Sequence, residues 1–176
     1  LRHHYNPLMR IPGYMYQKLI TGRVIAITDL ALVTNEYEKR MLRKRYGVEA
    51  VMLPHGVDEV YFKLPNMAHR FREKYKAEGK IIAYIGRVHP TKGVDMLIRA
   101  FKYIAEEFPK TMLIIAGKGE ENYMRKLMKL SKKLGIDHRV RFLGHIPEED
   151  KIGLIDASEA IVLPTKHAGE SYPLVV

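Results

Sequence analysis

Residues 81–93 read IIAYIGRVHPTKG, and the fold turns on how this stretch is understood. An apolar run from Ile81 to Ile85 stops at Gly86. Arg87 follows at once, and Lys92-Gly93 closes the segment before a helical pattern begins at Val94. The pattern predicts a buried strand, a glycine turn and a helix start, with two cations over the junction. In an open α/β sheet, ligands sit beyond the carboxyl ends of the strands, so this junction is the first place to look for a site. Arg offers a planar fork to phosphate oxygens and Lys a compact point charge. Read from spacing alone, the pair is either a diphosphate clamp or two surface cations on a loop.

Downstream, strands and helices alternate. A helix is predicted from Val94 to about Phe108, with Leu97, Ile98, Phe101, Ile104 and Ala105 on one face. Met112 to Ala116 reads as an apolar strand. Glu121 to Leu134 reads as a helix with Met124, Leu127, Met128 and Leu134 turned inward, ended at Gly135. Val140 to Leu143 is the next strand, Glu148 to Asp156 a short helix, and Ala160 to Leu163 a further strand. Pro173 fits the first position of another helix, where its missing N–H costs nothing. A domain that stops as a helix begins is expected to be incomplete, so the chain reads as a fragment cut at both ends.

Upstream, Ala68 to Ala77 is predicted as a charged helix and residues 59–66 as irregular. Pro54-His55-Gly56-Val57-Asp58 marks a turn or crossing point. Before it, Val48 to Leu53 reads as a strand. The preceding helix is well signalled: Asn35 caps it, Glu38 completes a capping box, cations fill its last turn and Gly47 ends it. Val24 to Thr28 reads as a short strand, Leu30 to Thr34 as a second strand or its continuation, and a helix around Tyr14 to Ile20 follows a turn-rich opening. Strands that are apolar throughout and separated by helices imply a doubly wound α/β fold, with a parallel sheet covered on both faces.

Composition narrows the function. The chain has 176 residues, 47% hydrophobic and 28% charged, which is ordinary globular material. It has no cysteine, which excludes disulfides and thiolate metal sites. No apolar run reaches the roughly 18 residues of a membrane helix. The net charge of +10 suits nucleic acid, an anionic membrane surface or a phosphorylated substrate. Its densest run, Lys39 to Arg45, contains Met41 and Leu42 and reads as the polar side of an amphipathic helix.

Other constellations are weaker. Gly117-Lys118-Gly119 suggests a dinucleotide fingerprint, but the third glycine should stand where Asn122 does. Glu120 and Glu121 would also place carboxylates where a pyrophosphate must sit. No P-loop, D-x-D pair, H-x-x-x-H or G-x-S-x-G is present. Glu170-Ser171-Tyr172-Pro173 precedes a helix start whose free N–H groups, at Leu174 and Val175, can face an anion. Glu170 either accepts hydrogen bonds from sugar hydroxyls or helps to cap that helix. The loop histidines His55, His89, His145 and His167 each read as surface residues.

Taken together, the motifs resemble those of the family 4 retaining glycosyltransferases of the two-domain GT-B fold. They stand here as Pro54-His55-Gly56-Val57-Asp58, Gly86-Arg87…Lys92-Gly93, Ile114 to Gly119, Val140 to Gly144, and Glu170 to Val175. The resemblance implies that residues 1–53 end an acceptor-side domain, 54–64 link the domains, and 65–176 form most of a nucleotide-sugar-binding domain. It implies that Arg87 and Lys92 grip the donor's diphosphate and that Glu170 contacts the donor sugar, these three being catalytic. Gly86, Gly117, Leu143, Gly144 and His145 would line the donor, as would Ser171, Tyr172 and Leu174. The implied chemistry is hexose transfer from a nucleotide-diphosphate sugar with retention of configuration, needing no metal and no further cofactor. The acceptor would be a saccharide, a lipid-linked or a small molecule, and the place the cytoplasm, including the inner face of a membrane. No nucleic-acid partner is expected, and the fragment alone is expected to be inactive. His55 departs from the family's Asn in the P-N-G turn, and Pro173 from its usual Gly. The alternatives are a GT-B epimerase or phosphorylase and, in a different class, a non-catalytic binder of nucleic acid or anionic membrane.

Overall fold

The computed structural model describes residues 20–57 and 59–166. They fall into two units that divide after Val57, each with its own parallel sheet.

The smaller unit is a βαβ arrangement behind a short helix. Helix α1 (Gly22–Ala26) occupies the segment predicted as a strand. β-branched residues favour strands only where a neighbouring strand accepts them. Here the backbone finds its partners locally: Ile27 N–H donates to the Arg23 and Val24 carbonyls, and Thr28 Oγ1 donates to the Val24 carbonyl at 2.8 Å. Strands β1 (Leu32–Val33) and β2 (Val51–Met52) pair in parallel, with Leu32 opposite Val51. Helix α2 (Glu36–Tyr46) joins them. Its start is the predicted one, with Asn35 Oδ1 accepting from Glu38 N–H at 2.9 Å. The Glu38 carboxylate turns back to accept from the Thr34 N–H and hydroxyl. Gly47, at φ 69°, ends the helix in the left-handed conformation. Met41 and Leu42 are half-buried, as is Lys39, while Arg40, Arg43, Lys44 and Arg45 are exposed, so most of the basic run is the outer side of an amphipathic helix.

The larger unit begins with α3 (Val60–Lys63), a single turn within the segment predicted as irregular, closed by a Glu59–Lys63 ion pair. Then come α4 (Ala68–Tyr75), β3 (Lys80–Ile85), a 3-10 turn (Pro90–Lys92), α5 (Val94–Glu107), β4 (Thr111–Ala116), α6 (Glu121–Lys133), β5 (Val140–Gly144), α7 (Glu148–Ala157) and β6 (Ala160–Ile161). All four strands are parallel, in the order β5-β4-β3-β6.

Alternation along the strands builds two cores. Tyr84, Leu113 and Ile115 face α5 and α6, and pack with Leu97, Ile98 and Phe101. Ile81, Ala83, Ile85, Ile114 and Ala116 face the other way, with Phe71 of α4 and Leu154 of α7. Both faces are therefore covered, as continuous apolar strands require. Each fully buried large side chain contributes about 1.5–3 kcal/mol relative to exposure. One helix face differs from expectation. Met128 is 46% exposed, and the inner stripe of α6 is Tyr123, Met124, Leu127, Leu130 and Leu134. Residue 128 lies about 100° round the helix from Leu127, at the edge of that stripe. The predicted helices near Tyr14 and Pro173 lie outside the described residues.

Candidate functional site

The sheet order places a switch point at β3. From β3 the chain moves to β4 and then β5 on one side, and returns to β6 on the other. In such sheets the crevice beyond the carboxyl ends of the strands, where the winding reverses, is the ligand position. Arg87 and Lys92 stand on the loop that leaves β3 at this point.

That loop is held by its neighbours. Gly86 N–H donates to the Ala116 carbonyl at 2.9 Å, and Val88 N–H to the Lys118 carbonyl at 2.8 Å. Val88 also forms a parallel bridge to Gly119, extending the β3–β4 contact past the strand ends. Gly117 passes so close that a Cβ there would lie 1.7 Å from the Gly86 carbonyl oxygen. Its φ of 146° suits glycine as well. Gly117 N–H donates to the Gly144 carbonyl at 2.6 Å, which joins the end of β5 to the same edge. On the other flank, a Cβ at Gly93 would lie 1.9 Å from the Pro164 carbonyl oxygen. Loops from β3, β4, β5 and β6 thus meet at one edge through backbone contacts.

Side chains lock the cationic loop further. Tyr84, fully buried, donates its hydroxyl to the Arg87 carbonyl at 2.7 Å. His89 Nδ1 accepts from Thr91 N–H at 3.3 Å and lies 2.8 Å from Thr91 Oγ1, which caps the Pro90–Lys92 turn. His89 is therefore half-buried and structural. Arg87 is exposed and Lys92 half-buried. Among the described residues no carboxylate pairs with Arg87 at ion-pair distance. An exposed guanidinium on a fixed backbone is ready for an incoming anion.

Of the other residues the sequence points to, Gly86, Gly117, Leu143, Gly144 and His145 all stand at this sheet edge. Leu143 is half-buried against the α4–α7 core, and His145 is exposed. Glu170, Ser171, Tyr172 and Leu174 lie outside the described residues. Among the described residues no three His, Asp or Glu side chains gather as a metal site would.

The sequence reading missed Asp95, Tyr123 and Lys166. Lys166 Nζ contacts both Asp95 carboxylate oxygens, at 2.9 and 3.0 Å. Tyr123 donates its hydroxyl to Asp95 Oδ1 at 3.5 Å. Burial, then the Asp95 charge, pushes the Tyr123 hydroxyl up to about 12, so it stays protonated. Lys166 N–H also donates to the Thr91 carbonyl at 2.7 Å. The only available signal was an acidic residue in the first turn of α5, which also reads as ordinary dipole compensation.

Comparison with known proteins identifies the family and the fold. The family described as Glycosyl transferases group 1 matches residues 66–176. The phosphatidyl-myo-inositol mannosyltransferase of Mycobacterium tuberculosis is 30% identical over 163 residues, covering 92% of this chain and 38% of the relative. The mannosylfructose-phosphate synthase of Agrobacterium fabrum is 29% identical over 150 residues, covering 79% of this chain and 33% of the relative. The chain thus spans about a third of the length of these relatives. Among solved structures, Anabaena Alr3699/HepE in complex with UDP superposes with a TM-score of 0.73 at 19% identity, covering 89% of this chain and 44% of that one. Sucrose-phosphate synthase from Thermosynechococcus elongatus gives 0.71 at 22% identity, covering 88% and 39%. The fold is the Rossmann-like half of a GT-B glycosyltransferase, and the chain belongs to the glycosyl transferases group 1 family.

Proposed function

We propose that this chain is the donor-binding part of a retaining glycosyltransferase that moves a hexose from a nucleotide-diphosphate sugar to an acceptor hydroxyl. The observation that carries the reading is the placement of Arg87 and Lys92 on a braced loop at the switch point of the sheet. In the reaction the C1–oxygen bond to the diphosphate breaks, and its electron pair leaves with the phosphate. The acceptor oxygen bonds to C1, and its proton passes to an oxygen of the leaving diphosphate. Negative charge grows on the leaving diphosphate, and pre-placed cations lower the energy of that state more than they do in water. The positive charge here comes from Arg87 and Lys92, and no metal is invoked.

Gly86 and Gly117 let backbone approach the donor, and the turn Leu143-Gly144-His145 meets the base. Glu170 contacts the donor sugar, with Ser171, Tyr172 and Leu174 beside it. Residues 1–53 then belong to an acceptor-side domain, 54–64 to the linker and 65–176 to the donor domain. The acceptor is a saccharide, a lipid-linked or a small molecule, met in the cytoplasm or at the inner face of a membrane. Relatives include an enzyme described as GDP-mannose-dependent, and neighbours include complexes with UDP, so both bases are candidates.

A panel of UDP-, GDP- and ADP-hexoses offered to the intact protein tests the reading. One donor should support transfer, and the product anomer, read by NMR, should match the donor's. Turnover that needs only water or phosphate, with no sugar transferred, contradicts it and favours an epimerase or phosphorylase.

A further inference from the structure

We propose that Asp95 is a positioning residue of the donor site: its carboxylate clasps Lys166 and so holds the loop after β6 against the loop that carries Arg87 and Lys92. The inference rests on the donor-site reading above. Strand β6 is short. It pairs with β3 only at Ala160 and Ile161, with Val162 N–H adding a bond to the Ala83 carbonyl at 2.8 Å. Beyond that point the sheet no longer sets the direction of the chain.

Contacts to the β3 loop and α5 set it instead. Pro164 lies against Gly93, Lys166 N–H bonds the Thr91 carbonyl, and Lys166 Nζ bonds both Asp95 oxygens. The first two are backbone contacts. The third is made by side chains that can be changed without altering either loop's backbone, and it is shorter than the Thr165 hydroxyl's bond to the Thr91 carbonyl at 3.5 Å. Asp95 is well placed to act as an anchor. It sits in the first turn of α5, whose buried Val94, Leu97 and Ile98 fix that helix to the sheet. It also meets Tyr123 in the first turn of α6, so one carboxylate ties elements following β3, β4 and β6. Lys166 stands four residues before Glu170 in the sequence.

The lysine and aspartate side chains of this pair are 41% and 34% exposed. Exposed ion pairs add little to global stability. A loss of activity without a loss of stability is therefore what separates positioning from ordinary structural support. Small displacements of catalytic groups can cost about a hundredfold in rate.

The test uses the intact enzyme, with the donor selected from the nucleotide-sugar panel. Asp95→Asn and Lys166→Met should each lower kcat about tenfold or more, as expected for misplaced catalytic groups. Melting temperatures should stay within about 2 °C of the parent, as for a surface pair. The double variant should lose no more than either single one, since both break the same contact. Amide exchange at Leu163, Thr165 and Lys166 should quicken in Asp95→Asn, while exchange in β3 stays as it was. Unchanged kcat, additive losses, or unchanged exchange at those amides would overturn the clasp. Arg87→Ala is measured alongside. If it abolishes turnover while Asp95→Asn does not, the clasp alone fails. If Arg87→Ala leaves turnover intact, the donor-site reading fails, and the exchange data alone then decide whether the clasp exists.

Discussion

Asp150 shows how a single residue holds the face of the larger unit opposite α5 and α6. It is 5% exposed, and its carboxylate accepts from Lys74 Nζ at 2.6 Å and from the Tyr75 hydroxyl at 2.7 Å. Burial is the largest single influence and pushes its pKa up. The Lys74 and Tyr75 hydrogen bonds, with the Lys74 and Arg70 charges, together outweigh burial and hold the carboxyl below the usual carboxylate range. A carboxyl with a lowered folded pKa stabilises the protein above its unfolded pKa, and that contribution is lost as pH falls through the folded value. Asp150→Asn should therefore destabilise by about 1–3 kcal/mol at pH 7. The deficit should begin to shrink below about pH 4, the ordinary value that the unfolded carboxyl keeps, and go on shrinking as pH falls through the lower folded value. Urea melts of both proteins across that range check the sign: a deficit that grows on acidification contradicts it. Tyr75, pushed up to about 12 by burial and then by Asp150, remains a donor across the whole range. No part of this cluster was visible in the sequence, since Lys74 and Asp150 lie far apart along the chain. At Gly117, spacing and charge favour a strand-to-helix turn over a dinucleotide fingerprint; the turn is there, and the structure adds a loop crossing too tight for any side chain.

Among the elements, readability followed the physics that shapes each one. Helix α5 and strand β4 were clear because burial imposes a period and each runs long enough to display it. Helix α2 was clear because Asn35, the terminal cations and Gly47 all signal its ends. Helix α1 departs from the expected strand because local hydrogen bonds outcompete a weak strand preference in a segment that pairs with no strand among the described residues. Helix α3 was missed because a single turn carries too few residues to show a period. The end of α4 was also only partly visible. Lys76, at φ 46°, takes the left-handed position, and Arg141 Nη1 donates to the Lys76 carbonyl at 3.0 Å. That partner comes from β5 and leaves no mark near the turn. The cap of α2 offers a direct check. Asn35→Ala should cost about 1 kcal/mol, because the Glu38 N–H loses its acceptor. A denaturant midpoint unchanged for the unit containing α2 would show that Thr34 and Glu38 suffice without it.

At the scale of the whole molecule, strand order brings separate motifs to one sheet edge. The segments after β3, β4, β5 and β6 are dispersed from Gly86 to Lys166, and a parallel sheet delivers all of them to one edge. The net charge of +10 takes a different meaning in this setting. Most of it is a solvated surface, including the outer side of α2, while Arg87 projects from a loop braced by Tyr84, Thr91 and the neighbouring glycines. The central claim is that Arg87 and Lys92 form the diphosphate clamp of a glycosyl transfer. Its most direct test is kcat/KM of the intact enzyme carrying Arg87→Ala and Lys92→Ala, against the parent with the same donor. Arg87→Ala alone should cost about 2 kcal/mol or more in transition-state binding, and the double variant more still. A folded double variant that transfers sugar at the parent rate would contradict the account.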